Sequence, residues 1–205
     1  REEQRLSSAC FDANCDAGPY AFREYPVTSL AEVVGDLQRF GVTGACVGSA
    51  AAITYVSLQP ANERFIAEVE SLAAPGFALC PAAVLNPEYP GARRDLAACA
   101  GLGFKALKLY PTYHAFDLLG YATMQLADAA TAQGWPILLA MRVEDERHHH
   151  PLMKVPALAL EQAIAFARNL RHGRVVLCTA TAAEVVGFLQ GVERAEAYAE
   201  TSYLK

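Results

Sequence analysis

Three short segments gather side chains able to move protons or hold ions. The first runs Phe11-Asp12-Ala13-Asn14-Cys15-Asp16-Ala17-Gly18. On an extended strand the two-residue spacing of Asp12, Asn14 and Asp16 sends all three to one face. The rival reading is a turn in which Asn and Asp bond nearby backbone. The second segment runs from Phe104 to His114, where Lys108 shares a face with Ala106 and Tyr110, and Lys105 with Leu107 and Leu109. One of the two ammonium groups must therefore face inward. There it could bind a substrate carboxylate or, once desolvated, form a Schiff base; a lysine stem threading between strands and helices is the plainer alternative. The third segment, Arg142-Val143-Glu144-Asp145-Glu146-Arg147-His148-His149-His150, holds two arginines, three carboxylates and three imidazoles in nine positions. Such neighbours shift one another's pKa values, as proton transfer requires, although a solvated charge run is the ordinary outcome.

Positioning these groups requires elements that end where they stand. Short apolar, β-branched runs predict strands over 9–14, 44–49, 77–84, 104–110, 136–141, 174–178 and 196–202. Helical periodicity falls between them, over 29–40, 62–72, 91–102, 118–133, 158–170 and 182–189. Ser29 with Glu32 forms a capping-box pattern, and Gly41, Gly103, Gly134 and Gly173 each follow the last periodic residue of a helix. Strict β/α alternation, with no Gly-rich phosphate fingerprint after the first strand, favours a (β/α)8 TIM barrel over a dinucleotide-binding sheet. Barrel active sites lie at the C-terminal strand ends, which is where all three segments fall, together with Thr179, Glu200 and Ser202. A barrel takes about 250 residues. The 205 residues read as one domain, 1–205, lacking the last strand and helix at its C-terminus, and Arg1 is not expected to be the translational start.

Composition narrows the partners. Seventeen basic against twenty-two acidic residues, a net charge of −5, leave nothing to neutralise phosphates, so nucleic acid is not expected. The longest apolar stretch is broken by Gly48, Ser49 and Thr54, which argues against a membrane span. Six cysteines without paired spacing read as reduced thiols in a cytoplasmic protein. Ala-rich helices suit close packing or a homodimer surface.

In order along the chain, Asp12-Ala-Asn14-Cys-Asp16-Ala-Gly18, the strand entry Phe40-Gly41-Val42, Asn86-Pro87, Gly103-Phe-Lys105-Ala-Leu-Lys108-Leu-Tyr-Pro111 and the run from Ala197 to Ser202 form a set. By these motifs the chain resembles the amidohydrolase superfamily, in particular the amidohydrolase-related branch containing aminocarboxymuconate semialdehyde decarboxylase. The resemblance implies a metal-dependent hydrolase, or a decarboxylase or lyase. It also implies that the metal site is degenerate: Asn14 and Asp16 stand where the family has its first-strand histidines, Ala140 and Thr179 replace later ligands, and the eighth-strand aspartate has no counterpart. A catalytic zinc needs about three protein ligands, so the family's zinc is not expected and the cofactor is left open. Some branches share the asparagine and an R-x-E-D-E-R-x-x-H-P-L segment, which residues 142–152 resemble.

The expectation is then a barrel acting on a small carboxylated or cyclic metabolite without zinc. Glu144 or Asp145, with His148 or His114, would exchange protons. Arg142 or Lys108 would hold the anion, with Asn14, Asp16, Tyr110 and Thr179 completing the pocket. A rebuilt site for a hard metal ion, from Asp12, Asp16, Glu144 or a histidine of 148–150, is a second reading. A non-catalytic barrel kept as a ligand-binding or assembly protein is a third.

Overall fold

The computed structural model describes residues 9–145, 147, 149, 155–193 and 196–200. Within them β1 (Cys10–Ala17), β2 (Val42–Ser49), β3 (Ala78–Val84), β4 (Ala106–Leu109), β5 (Ile137–Ala140), β6 (Val175–Cys178) and β7 (Ala197–Ala199) form one sheet in sequence order. Every neighbouring pair is parallel. Helices α1 (Leu30–Arg39), α2 (Gln59–Ser71), α3 (Ala92–Gly101), α5 (Tyr121–Thr131) and α6 (Leu160–Asn169) lie in the crossovers, and α7 (Ala182–Gly191) leads into β7. A single turn, α4 (Pro111–His114), follows β4. Among the described residues this is a (β/α)8 barrel lacking its last strand and helix.

The side chains show that the sheet is curled. Cys46, Ala82, Ala106, Leu138 and Cys178, from five successive strands, meet in one small cluster, which a flat sheet could not bring together. On the opposite face Val47, Leu107, Leu109, Leu139 and Leu177 join Leu96, Phe166 and Phe188 of the helices in the main core. Strands buried on both faces explain why their sequence reads as continuous apolar runs.

Local signals act as their chemistry predicts. Ser29 Oγ accepts from the Glu32 N–H at 3.3 Å, while the Glu32 carboxylate accepts from the Ser29 N–H at 3.0 Å, a reciprocal cap worth about 1 kcal/mol. Gly173 takes φ +103°, and a Cβ there would lie 2.4 Å from Thr131 Cγ2, so both conformation and space require glycine. Departures are confined to boundaries and short turns. β1 continues to Ala17, three residues past its expected end, and the α5 helix begins at Tyr121 rather than 118. A 3-10 turn at Ala50–Ile53 and the α4 turn were not expected. Of the strand expected over 196–202, Ala197–Ala199 is present, and 201–202 lie outside the described residues. No helix among the described residues is long and apolar enough to cross a membrane.

Candidate active site

Three side chains from two strands converge inside the C-terminal end of the barrel. Lys108 Nζ donates to both oxygens of Asp16 at 2.9 Å and to the Cys15 carbonyl at 3.3 Å. Tyr110 Oη donates to Asp16 Oδ1 at 2.9 Å. The Lys108 side chain is 1% exposed and that of Asp16 28%, so the carboxylate stands between the buried ammonium and the barrel mouth. Alternation along β4 sends Lys108 inward with Ala106, while Lys105 is exposed before the strand begins. Room for the inward lysine comes from Gly48 on β2, where a Cβ would lie 3.1 Å from Asp16 Oδ1 and 3.3 Å from Lys108 Cδ. Burial alone would depress the ammonium, but the facing Asp16 carboxylate outweighs it and holds Lys108 well above the ordinary lysine range. Burial and the same carboxylate push the Tyr110 phenol up, keeping it a neutral donor.

The three polar residues of the first strand end do not share one direction. β1 slips register between Asp12, paired with Ala45, and Cys15, paired with Val47, so three residues oppose two. Asp12 Oδ1 turns back to accept from the Asn14 N–H at 2.9 Å, the local bond that was the alternative reading of this segment. Asn14 instead reaches across the open side, its Nδ2 donating to Glu200 Oε1 at 2.8 Å and to Thr179 Oγ1 at 3.3 Å. Its Oδ1 is buried without a hydrogen-bond partner. Thr179 sits at φ 55°, a left-handed conformation that a β-branched residue rarely adopts. The twist aims its N–H at Glu200 and its carbonyl at Arg142.

Arg142 is placed differently from the anion clamp expected of it. Its guanidinium grips the Glu184 carboxylate through both terminal nitrogens and the Thr179 carbonyl at 2.9 Å. Glu184 is also the third residue of a capping box with Thr181. Burial would raise this carboxyl, but Arg142 and the Thr181 N–H and hydroxyl outweigh burial and lower it. Glu184 carried no role in the sequence reading; the pattern Thr181-Ala-Ala-Glu184 was the legible signal for it.

Among the described residues, the two remaining carboxylates of that loop pair off. Glu144 accepts from Tyr20 Oη at 3.3 Å and lies 3.3 Å from Arg23. Asp145 binds Arg147 two residues on. His148 lies outside the described residues, as do Glu146 and His150. His114, the other expected proton carrier, is held on the α4 turn with Nε2 3.2 Å from the Ala52 carbonyl and Nδ1 buried without a partner. Burial lowers its pKa, against the pull of the neighbouring carbonyls, and keeps the ring neutral. Among the described residues no three His, Cys, Asp or Glu side chains converge in a way that could hold a metal ion.

Beside this site, the loops after β2, β3 and β4, with Phe22 from the loop after β1, enclose a cavity of about 450 Å3. His114 forms part of its wall and packs edge-on against Tyr110, ring centroids 5.9 Å apart.

No family model matches the chain, and no curated protein matches it. Among solved structures it is similar to a dihydrodipicolinate synthase, with a TM-score of 0.53 and 13% identity over 91% of this chain and 62% of that one. It is also similar to a Rubisco-like protein from Rhodopseudomonas palustris, with a TM-score of 0.42 and 12% identity over 95% of this chain and 60% of that one. The chain thus spans less than two thirds of either structure, and the first likeness shows a shared TIM-barrel fold. The lack of any family or curated match, with a synthase as the solved structure that shares the fold, overturns the amidohydrolase resemblance and the expectations built on it: a metal-dependent hydrolase superfamily, its degenerate zinc site, and a hydrolase, decarboxylase or lyase of a carboxylated or cyclic metabolite. The companion reading of a degenerate, non-catalytic member goes with them. The motifs misled for a physical reason. Turn-forming Asp, Asn and Gly at strand ends and Gly-Val at strand entries are what any parallel barrel requires, and they recur without common descent.

Proposed function

We propose that the chain is an enzyme that moves a proton at the carbon beside the carbonyl of a small, uncharged or cationic molecule, with Asp16 as the group that takes and returns it. The observation that carries this reading is the shared carboxylate: Asp16 accepts from Lys108 and Tyr110 at 2.9 Å and is the exposed member of the three. Lys108 and Tyr110 fix that carboxylate from within, so a substrate C–H arriving from the mouth meets Asp16 itself. The two cations expected to hold an anion, Lys108 and Arg142, both grip protein carboxylates, while Asp12, Asp16 and Glu200 gather at the mouth. That balance supports an uncharged or positively charged substrate.

Small neutral aldehydes and ketones incubated with the protein in D2O test the proposal, with C–H to C–D exchange followed by proton NMR. Asp16→Asn is expected to lower exchange by about 10²- to 10⁴-fold. Absence of exchange across the panel, or exchange that survives Asp16→Asn, overturns the reading.

A second reading rests on a separate observation: the Lys108 amine lies 2.9 Å from the Asp16 carboxylate, a group able to take up its proton. It would condense with a substrate carbonyl to an imine and water. Borohydride reduction in the presence of the carbonyl compound, followed by mass analysis of the Lys108 peptide, separates the two. A mass increase there favours the covalent route, and an unmodified peptide with exchange intact favours the first. Six free thiols support a reducing, cytoplasmic setting, and a homodimer is the assembly expected by light scattering.

A further inference from the structure

The cavity beside the proposed site has a chemistry of its own. Phe22, Tyr55, Tyr89, Tyr113 and His114 supply aromatic walls, and among the described residues Glu88 is the one charged residue lining it. Phe22 is 38% and Tyr55 43% exposed, unusual for large apolar surface at the rim of a hollow. The His114 Nε2–H donates to the Ala52 carbonyl, which leaves Nδ1 as a lone-pair acceptor, buried and without a donor. Asn86 holds this wall in place, donating to the His114 carbonyl at 3.4 Å and accepting from the Glu88 N–H at 3.0 Å. One Glu88 oxygen accepts from the Asp117 N–H at 3.2 Å, and the residue itself is exposed at the rim. Arg64 sits 5.6 Å over the Tyr55 ring, so Tyr55 already carries a cation and is left as a flat wall for a ring.

We propose that this cavity binds a flat aromatic ring bearing an alkylammonium group, its ring between the aromatic walls and its ammonium turned to Glu88. A volume of about 450 Å3 accommodates a two-ring molecule of this kind. Aromatic walls reward the flat face, and the carboxylate selects positive over negative charge. Binding here does not depend on any chemistry at Asp16 and is measured alone.

Three probes of one shape test it by calorimetry at neutral pH and low salt: tryptamine, indole and indole-3-acetate. Tryptamine is expected to bind most tightly, indole several-fold more weakly, and indole-3-acetate about tenfold or more below tryptamine. Glu88→Gln, at an exposed position that leaves the core untouched, should bring tryptamine down to the level of indole and leave indole within about twofold. Equal binding of the amine and the acetate, a preference that survives Glu88→Gln, or no saturable binding by any probe overturns the assignment.

Discussion

At the scale of single residues, the Lys108–Asp16 pair decides most of what the barrel interior can do. A lysine with a 1% exposed side chain loses its hydration, and the Asp16 carboxylate and Cys15 carbonyl replace it. Lys108→Met is therefore expected to destabilise the fold by about 3–5 kcal/mol, because it leaves a partly buried carboxylate with only Tyr110 opposite. Pairing it with Asp16→Leu should cost less than the sum of the two single changes by about 1–3 kcal/mol, read from urea denaturation midpoints. Additive effects would show that the pair contributes no coupling. The inward lysine was legible in the alternation of Ala106, Lys108 and Tyr110. Its partner was not, because the distance from Asp16 to Lys108 spans 92 positions and no local pattern encodes it.

At the scale of elements, the end of β6 is tied to the start of α7. Arg142 on the segment after β5 grips Glu184, and Glu184 caps α7 through Thr181. Removing the carboxylate leaves a guanidinium that is 9% exposed, so Glu184→Gln is expected to cost about 2–3 kcal/mol near neutral pH. The pH dependence has a definite sign. The Glu184 pKa is lower in the folded chain than its ordinary 4.5, so this stabilisation is fully present above about 4.5 and fades as pH falls through the lower folded value. Denaturation midpoints of the wild type and Glu184→Gln should therefore converge in acid and stay apart at neutrality. The β1 bulge belongs to this scale as well. Strict alternation predicted one face for Asp12, Asn14 and Asp16, but one extra residue opposite β2 turned them to three different partners. The charged run after β5 looked like a single reactive cluster, yet the strands, helices and loops around it supply Glu184, Tyr20 and Arg23, which divide it into separate pairs.

At the scale of the whole molecule, the open barrel buries its thiols. Burial pushes Cys15 and Cys99 up to about 12 and Cys178 higher still, while a hydrogen bond from the Cys46 thiol lowers Cys80. The thiolate is the reactive form. In a thiol titration of the native protein, Cys10 and Cys80 are expected to react first and the others only on unfolding, when all six respond. Simultaneous fast reaction of all six in the native state would contradict this packing. By itself the sequence determined the alternation of strands and helices, the helix caps and glycine stops, and which end of the barrel carries polar residues. Those are properties of near neighbours, set by side-chain period, local hydrogen bonds and φ. Tertiary structure alone decided which cation meets which carboxylate, where β1 bulges, and that loops from four successive strands enclose an aromatic cavity around His114. Each of these depends on distances between residues far apart in the chain, and only the curling of the sheet brings those residues within a few ångströms.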